Sequence, residues 1–111
     1  IFNEENVVKN CVIYCTVPNE FNANLIATTL VEDNLAACVN IVPSITSVYR
    51  WEGITQTESE LMLVIKTQED RFKEVEAKIK ELHENSLPEI IALPIVMGSD
   101  DYQNWIVKGT S

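Results

Sequence analysis

The longest regular pattern of apolar and polar positions runs through residues 35–53, which read LAACVNIVPSITSVYRWEG. Within this segment, apolar side chains alternate with polar ones at a period of two, which is typical of a β-strand. The alternation runs over about 15 residues, far more than the usual five or six of a strand. It places on one predicted face Ala37, Val39, Ile41, Pro43, Ile45, Tyr49 and Trp51.

A strand of this length is predicted to extend beyond its own domain. At roughly 3.3 Å per residue it would reach about 50 Å, whereas a compact chain of this size has a radius of gyration near ~13 Å. Tyr49 and Trp51 at its far end then need another surface to cover them. The segment therefore predicts an arm for self-association, bent or bulged at Pro43 because proline lacks the N–H that a ladder needs.

Two further patterns precede the arm. The residues of Cys11–Val17 are mostly β-branched or aromatic, which favours a strand. Asn19 can cap the helix that follows, and Asn34 tolerates the left-handed conformation that closes a helix. Residues 1–10 are polar and acidic and predict a flexible lead-in, so a single domain is expected over residues 11–111.

A second strand and an amphipathic helix follow the arm. Residues 60–67 read ELMLVIKT, and their apolar run predicts a central strand that a hairpin joins to the arm. Thr67 and Asp70 resemble a capping box. The residues after them, 72–82, have apolar positions at 3-4-3 spacing and predict a helix with one solvated face.

The last two patterns complete the predicted fold. Residues 87–97 favour a strand, but two prolines restrict it to an edge or interrupt it. Ser99 can cap a short terminal helix. The order of elements predicts an α+β, ferredoxin-like split βαβ sandwich, with a four-stranded antiparallel sheet and two helices on one face. The other face lacks cover within one chain, which is a second argument for self-association.

Charge and composition narrow the class of partner. Eight Lys and Arg against seventeen Asp and Glu give a net charge of -9, which argues against nucleic acid and anionic lipid as partners. No apolar run approaches the roughly 20 residues of a membrane span. Three cysteines without a CxxC pattern favour a reducing compartment, and we expect the cytoplasm. A removed targeting peptide would leave the same sequence.

The residues that could carry chemistry are few. The sequence contains one histidine and no phosphate loop, GxSxG or HExxH motif, so we expect a non-enzymatic protein. Catalysis in a cleft between subunits, with Glu89 or Asp101 as acid or base, is an alternative. Tyr49 and Trp51 are interface anchors or stacking platforms for a ligand.

Three residues are candidate metal ligands, each with a simpler interpretation. Cys15 precedes a helix start, which would lower its thiol pKa and favour metal binding, but it could equally be a buried packing residue. His83 lies at the end of a helix. It is either a metal ligand or a protonated side chain that the helix dipole stabilises. Glu89 lies at the start of an apolar strand. It could bind a metal ion, pair with a cationic side chain, or be exposed to solvent.

Three sequence blocks together resemble the CutA1 family of divalent-ion tolerance proteins. They read CTVPNE at 15–20, LVEDNLAACVNIVPSITSVYRWEG at 30–53 and PEIIALPIVMGSDDYQNWI at 88–106. The resemblance covers roughly residues 10–107 and implies a ferredoxin-like subunit. It also implies a homotrimer built through extended hairpins and terminal segments, so we expect interface residues at Tyr49, Trp51 and Trp105.

The resemblance further implies a link to tolerance of copper and other divalent cations, and the family is not established as an enzyme. Copper ligation in bacterial relatives is attributed to positions that match Cys15 and His83, to which we add Glu89 as a candidate. The loop after His83 reads HENSLPE where the family usually reads HPYExPE, so its aromatic residue is absent. The alternative is a signalling or adaptor trimer, similar to nitrogen-regulatory PII proteins, that binds a small metabolite or a protein in its clefts.

Overall fold

The computed structural model describes residues 9–111, and within that range the chain forms four strands and three α-helices. Each strand pairs antiparallel with its neighbours, in the order β2-β3-β1-β4. This confirms the predicted α+β, ferredoxin-like arrangement with β3 in a central position. The elements are β1 Asn10–Val17, α1 Glu20–Glu32, β2 Cys38–Trp51, β3 Ile54–Gln68, a 3-10 turn Glu69–Arg71, α2 Phe72–Leu82, β4 Ile91–Pro94 and α3 Asp100–Gly109.

The hydrophobic core lies between the sheet and helices α1 and α2. One face of the sheet, here called the helix face, packs against the apolar stripes of both helices. Fully burying one such aliphatic side chain contributes roughly 1.5–3 kcal/mol. The fully buried members include Ile13, Leu63 and Ile65 of the sheet, Ile26 and Leu30 of α1, and Val75 and Ile79 of α2.

The opposite face of the sheet, here called the second face, is covered at one end by α3. The Nδ2 of Asn10 donates to the Oε1 of Gln103 at 2.7 Å, and the Nε2 of Gln68 donates to the Oγ1 of Thr110 at 2.9 Å. Asn10 belongs to β1 and is fully buried, so the strand begins one residue earlier than predicted. Residues 1–8 of the predicted lead-in lie outside the described residues.

Away from α3, the second face carries exposed apolar side chains. By their pairing, Val42, Ile91 and Leu93 all point to this face, and between 42% and 52% of each is exposed. The half-buried residues between them are Val12, Tyr14, Met62 and Val64. The predicted lack of cover on one face within a single chain therefore applies to the part of this face beyond α3.

A β-bulge divides β2 at Pro43 and Ser44. Val42 pairs with Met62, but Ile45 pairs with Glu60, so two residues of β2 stand opposite one residue of β3. Ser44 has a φ of 61°, in the left-handed region. The extra residue reverses the side to which each later side chain points.

The prediction of one continuous apolar face along β2 is therefore wrong. Ile41 pairs with Leu63 on the helix face, whereas Tyr49 pairs with Gln56 and lies on the side of the second face. Trp51 pairs with Ile54 on that same side. The predicted bulge at Pro43 is confirmed, and it is the cause of the reversal.

The arm of β2 is long, as predicted, but its partner β3 begins at Ile54, earlier than the predicted residues 60–67. Pairing continues to Trp51 and Ile54, and the two-residue turn between them has positive φ angles at Glu52 (50°) and Gly53 (80°). Positive φ at both positions is the signature of a type I′ turn, where glycine meets no steric penalty. The described chain measures 50 × 30 × 22 Å, which reflects the arm.

The predicted helix ends have mixed outcomes. The Oδ1 of Asn19 accepts from the N–H of Asn22 at 2.8 Å, and Asn34 has a φ of 59°, so both predicted ends of α1 are confirmed. The predicted capping box at Thr67 and Asp70 is wrong. The Thr67 hydroxyl donates instead to the buried Leu35 carbonyl at 2.7 Å, and a 3-10 turn precedes α2.

The last strand is shorter than its sequence pattern. Residues 87–97 were predicted, but only Ile91–Pro94 pair, on the outer side of β1. The predicted edge position is confirmed, and Pro94 ends the strand. Ser99 caps α3 as predicted, its Oγ accepting from the N–H of Tyr102 at 3.3 Å. No helix within residues 9–111 is both long enough and apolar enough to cross a membrane.

Candidate functional site

A cleft of about 840 Å³ lies where the β2–β3 hairpin meets the segment that follows α2. One wall, here called the hairpin wall, consists of side chains of β2 and β3 between Ser47 and Glu60. The other, here called the loop wall, consists of residues 83–89, and Thr16 at the end of β1 also lines the cleft. Both walls carry carboxylates.

The bulge in β2 determines which residues form the hairpin wall. Because it reverses the later side chains, Tyr49 and Trp51 lie on the same side of the sheet as Glu58 and Glu60. A hydrogen bond with Glu58 raises the pKa of the Tyr49 hydroxyl, and the charges of Glu58 and Glu60 add to the shift. Glu60 is only 8% exposed.

His83 attaches the loop wall to the sheet. Its Nε2 lies 2.7 Å from the Thr16 carbonyl oxygen, and its Nδ1 accepts from the N–H of Asn85 at 3.0 Å. A carbonyl oxygen can only accept, so the proton of the neutral ring is on Nε2. Both ring nitrogens are therefore engaged.

Asn22 of α1 holds the same loop from the other side. Its Nδ2 donates to the Leu82 carbonyl at 3.0 Å, and its Oδ1 accepts from the N–H of Glu84 at 3.2 Å. The first bond satisfies a carbonyl at the end of α2, which a helix leaves without a partner, and the second holds the backbone just beyond it. Asn19 donates to the Glu84 carboxylate at 2.9 Å, so the loop wall is fixed to the start of α1.

Cys15 lies behind the cleft, in the core. Its side chain is fully buried, and its Sγ lies 3.7 Å from the Thr16 carbonyl oxygen, the same atom that His83 contacts. Burial raises the pKa of this thiol to about 12, with further contributions from the charges of Glu89 and Glu60. The lowered pKa expected from the nearby helix start is therefore wrong, because desolvation outweighs the helix dipole.

The cleft is acidic. Four carboxylates line it, and the side chains that form it within residues 9–111 include no lysine or arginine. The four are Glu58, Glu60, Glu84 and Glu89. A concave surface with one sign of charge attracts counter-ions.

Cys15 and His83 both contact one carbonyl oxygen, and the charge of Glu89 acts on Cys15, so the structure brings the three predicted ligands into one region. Their chemistry does not fit a resident metal within one chain. The Cys15 thiol is held protonated, and both nitrogens of His83 are hydrogen-bonded. Among residues 9–111, no three His, Cys, Asp or Glu side chains are grouped as metal ligands.

The other predicted residues are divided between two places. Tyr49 and Trp51 line the cleft, whereas Trp105 lies on α3, where its ring stacks on Tyr102 with 5.4 Å between centroids. Asp101 lies in the first turn of α3, and Glu89 alone of the proposed acid–base residues lines the cleft.

Sequence analysis missed three of the cleft carboxylates, namely Glu58, Glu60 and Glu84. Glu58 and Glu60 are two residues apart, which places both side chains on one face of a strand. That spacing was a usable signal, but Glu58 lies outside the strand predicted at residues 60–67.

Comparison with known proteins gives consistent matches. Residues 11–109 match the family model described as "CutA1 divalent ion tolerance protein". The chain is 46% identical over 99 residues to the divalent-cation tolerance protein CutA of Thermus thermophilus, covering 89% of this chain and 96% of that protein. It is also 46% identical over 103 residues to the chloroplastic protein CutA of Arabidopsis thaliana, covering 93% of this chain but 57% of that longer protein.

Solved structures give the same result. The Thermus thermophilus divalent cation tolerance protein superposes with a TM-score of 0.90 at 45% identity, covering 92% of this chain and 99% of that chain. CutA1 from Oryza sativa superposes with a TM-score of 0.91 at 44% identity, covering 94% of this chain and 95% of that chain.

Proposed function

This chain belongs to the CutA1 divalent ion tolerance family, and we propose that it binds divalent cations weakly in the cleft, as a non-enzymatic homotrimer. The observation that carries the proposal is the lining of four glutamates, with no lysine or arginine among the described residues that form it. Carboxylate oxygens bind divalent cations. The glutamates are not grouped tightly, so the cation keeps much of its water and its binding is weak.

Copper is the cation that the family resemblance suggests, and Cys15, His83 and Glu89 remain its proposed ligands. For copper to reach Cys15 and His83, their contacts with the Thr16 carbonyl would have to break, and the thiol would have to lose its proton. Glu89 lines the cleft without such a rearrangement. We therefore propose that the carboxylates bind first and that Glu89 contributes most.

The homotrimer is proposed from the exposed apolar surface. On the second face, Val42, Ile91 and Leu93 are each more than 40% exposed, and Trp105 at the α3 end is 48% exposed. Contiguous apolar surface of this kind marks association sites. Tyr49 and Trp51, 38% and 46% exposed, extend the proposed interface toward the hairpin tip.

A reducing compartment, the cytoplasm, is proposed from the cysteines. Cys11, Cys15 and Cys38 are all free thiols. Oxidising compartments favour disulfides in small domains, so three free thiols support a reducing location.

A second candidate function, binding of a small metabolite in a signalling or adaptor role, is favoured by the size of the cleft. Its volume of about 840 Å³ lies within the range of small-molecule sites and greatly exceeds that of a single ion. This candidate does not require a metal.

Calorimetric titration of Cu²⁺ tests the proposed cation site. We expect Glu89→Gln to weaken binding by about tenfold, because a neutral amide is a poorer ligand than a carboxylate. The matched control is Glu32→Gln, since Glu32 is exposed at the end of α1 and outside the cleft. Equal affinity in wild type, Glu89→Gln and Glu32→Gln would overturn the carboxylate site.

Two further variants separate the carboxylates from the thiol and imidazole. If copper reaches the core, Cys15→Ser and His83→Ala lose affinity as much as Glu89→Gln does. If the carboxylates act alone, the affinity of Cys15→Ser stays at the wild-type value. Comparison of the far-ultraviolet circular dichroism of each variant with wild type ensures that a loss of affinity is not a loss of fold.

A further inference from the structure

We propose that the hairpin wall of the cleft binds a small organic cation, namely a protonated amine or a guanidinium group on a short aliphatic body. The carboxylates of Glu58 and Glu60 receive the cationic group, and the rings of Tyr49 and Trp51 cover the aliphatic part. This site goes beyond the proposed divalent-cation function, because it uses the hairpin wall and needs no metal.

The first argument is the burial of Glu60. More than nine-tenths of this residue is buried, yet it lines the cleft, and within residues 9–111 no hydrogen bond or ion pair holds its carboxylate. Among the described residues, the Oδ1 of Asn10 is the fully buried side-chain oxygen without a partner, so the carboxylate oxygens of Glu60 reach the open cleft. A carboxylate confined in this way attracts a cation from the cleft.

The described part of the chain does not supply that cation. Arg50 is next to Tyr49 in β2, but it pairs with Thr55 and points to the opposite side of the sheet. Lys66 of β3 donates to Asn40, nearer the other end of the hairpin. A cation that pairs with Glu60 would therefore come from outside these residues.

The second argument is the aromatic half of the wall. Within one chain, Tyr49 and Trp51 keep 38% and 46% of their surface exposed and line the cleft, so this site would lie at the edge of the proposed trimer interface. Aromatic faces attract ammonium and guanidinium groups and also cover aliphatic carbon, whereas a hydrated metal ion gains little from them. By their pairing in the sheet, Tyr49 and Glu58 lie on the same side of the hairpin, so the ring and the carboxylate face the same cleft.

The third argument is size. A cleft of about 840 Å³ accommodates a ligand of several non-hydrogen atoms. Two carboxylates on the hairpin wall and two on the loop wall also suit a ligand with a positive charge at each end. A diamine with a four-carbon body is therefore the simplest probe of the site.

The test is a titration of putrescine in the presence of a metal chelator, so that its outcome is independent of the divalent-cation proposal. The fluorescence of the wild-type chain reports on the cleft through Trp51, since the second tryptophan, Trp105, lies on α3 and outside the cleft lining. We expect putrescine to change this fluorescence saturably and to raise Tm. The neutral isostere 1,4-butanediol should do neither, because it lacks the charge that Glu60 attracts.

Variants identify the group that binds. Glu60→Gln keeps the shape of the side chain and should weaken putrescine binding by about tenfold, the loss expected for one charge-assisted hydrogen bond. Without ligand, this variant should keep the stability of wild type, because no ion pair among the described residues involves the Glu60 carboxylate. Glu32→Gln, outside the cleft, should bind as wild type does.

Two results would overturn the proposal. One is an equal response to putrescine and 1,4-butanediol, or equal putrescine affinity in wild type and Glu60→Gln. The other is a fall in molar mass and stability in Glu60→Gln without ligand, which would mean that a basic residue of a second copy of the chain occupies the site.

Discussion

The Nε2 of His83 lies 2.7 Å from the carbonyl oxygen of Thr16, and this contact joins the end of α2 to the end of β1. Asn85 donates its backbone N–H to the other nitrogen of the same ring at 3.0 Å. One side chain therefore fixes the position of the loop wall relative to the sheet. This histidine has a structural role whether or not a cation binds nearby.

Replacement of His83 by alanine tests that role. We expect His83→Ala to lower the free energy of unfolding by about 1–3 kcal/mol, because two hydrogen bonds are lost and the Thr16 carbonyl loses its partner. Chemical denaturation measures the change. Lys80→Ala, which removes an exposed i,i+4 ion pair from the same helix, should cost less than about 0.5 kcal/mol. Similar values for both variants would contradict the role of His83.

The thiol of Cys15 should make stability depend on alkaline pH. Burial raises its pKa from 9.0 to about 12, so the folded state retains this proton longer than the unfolded state does. The resulting stability is fully present below pH 9 and is lost as the pH rises toward 12. Chemical denaturation gives the free energy of unfolding of wild type and of Cys15→Ala between pH 7 and pH 12. The difference between the two isolates the thiol, since the other groups titrate equally in both proteins. A difference that does not change with pH would contradict the raised pKa.

The left-handed conformation of Ser44 should make the bulge sensitive to β-branched residues. Ser44 has a φ of 61°, and a valine there would be strained, so Ser44→Val should lower the free energy of unfolding by about 1–2 kcal/mol. Ser47, three residues later, lies in regular strand pairing with Glu58. Ser47→Val should therefore be neutral or stabilising. Equal destabilisation by the two variants would argue against the bulge.

The proposed assembly is tested at the hairpin tip. A homotrimer should give a light-scattering mass three times the 12.5 kDa of one chain, and Trp51→Ala should shift assembly to higher protein concentration. Truncation of a large aromatic at an interface typically costs about 2 kcal/mol or more. Phe21→Ala, at an exposed position of α1, is the control. If Trp51→Ala leaves the assembly midpoint unchanged, Trp51 is not part of the interface and only lines the cleft.

Much of the fold could be predicted from local pattern. The caps at Asn19 and Ser99, the left-handed Asn34 and the long hairpin all depend on residue type and short-range spacing. The capping box at Thr67 could not be predicted reliably, because the buried Leu35 carbonyl competes for its hydroxyl. That competition is a long-range contact.

The cleft was harder to predict for the same reason. Alternation along β2 predicts one continuous face, but a single extra residue at Ser44 moves Tyr49 and Trp51 to the other side of the sheet. The pKa of Cys15 likewise depends on burial by distant elements rather than on the helix start beside it. Cys15 and His83, which were predicted as metal ligands, both contact the Thr16 carbonyl oxygen, whereas Glu60 was not predicted as a site residue.

Crystals soaked in a copper salt and measured at the copper absorption edge would test the proposed cation site most directly. We expect an anomalous peak in the cleft beside the Glu89 carboxylate. The same measurement on Glu89→Gln crystals should show a much weaker peak. Absence of any peak in the wild-type cleft, or a peak confined to sites outside it, would contradict the account.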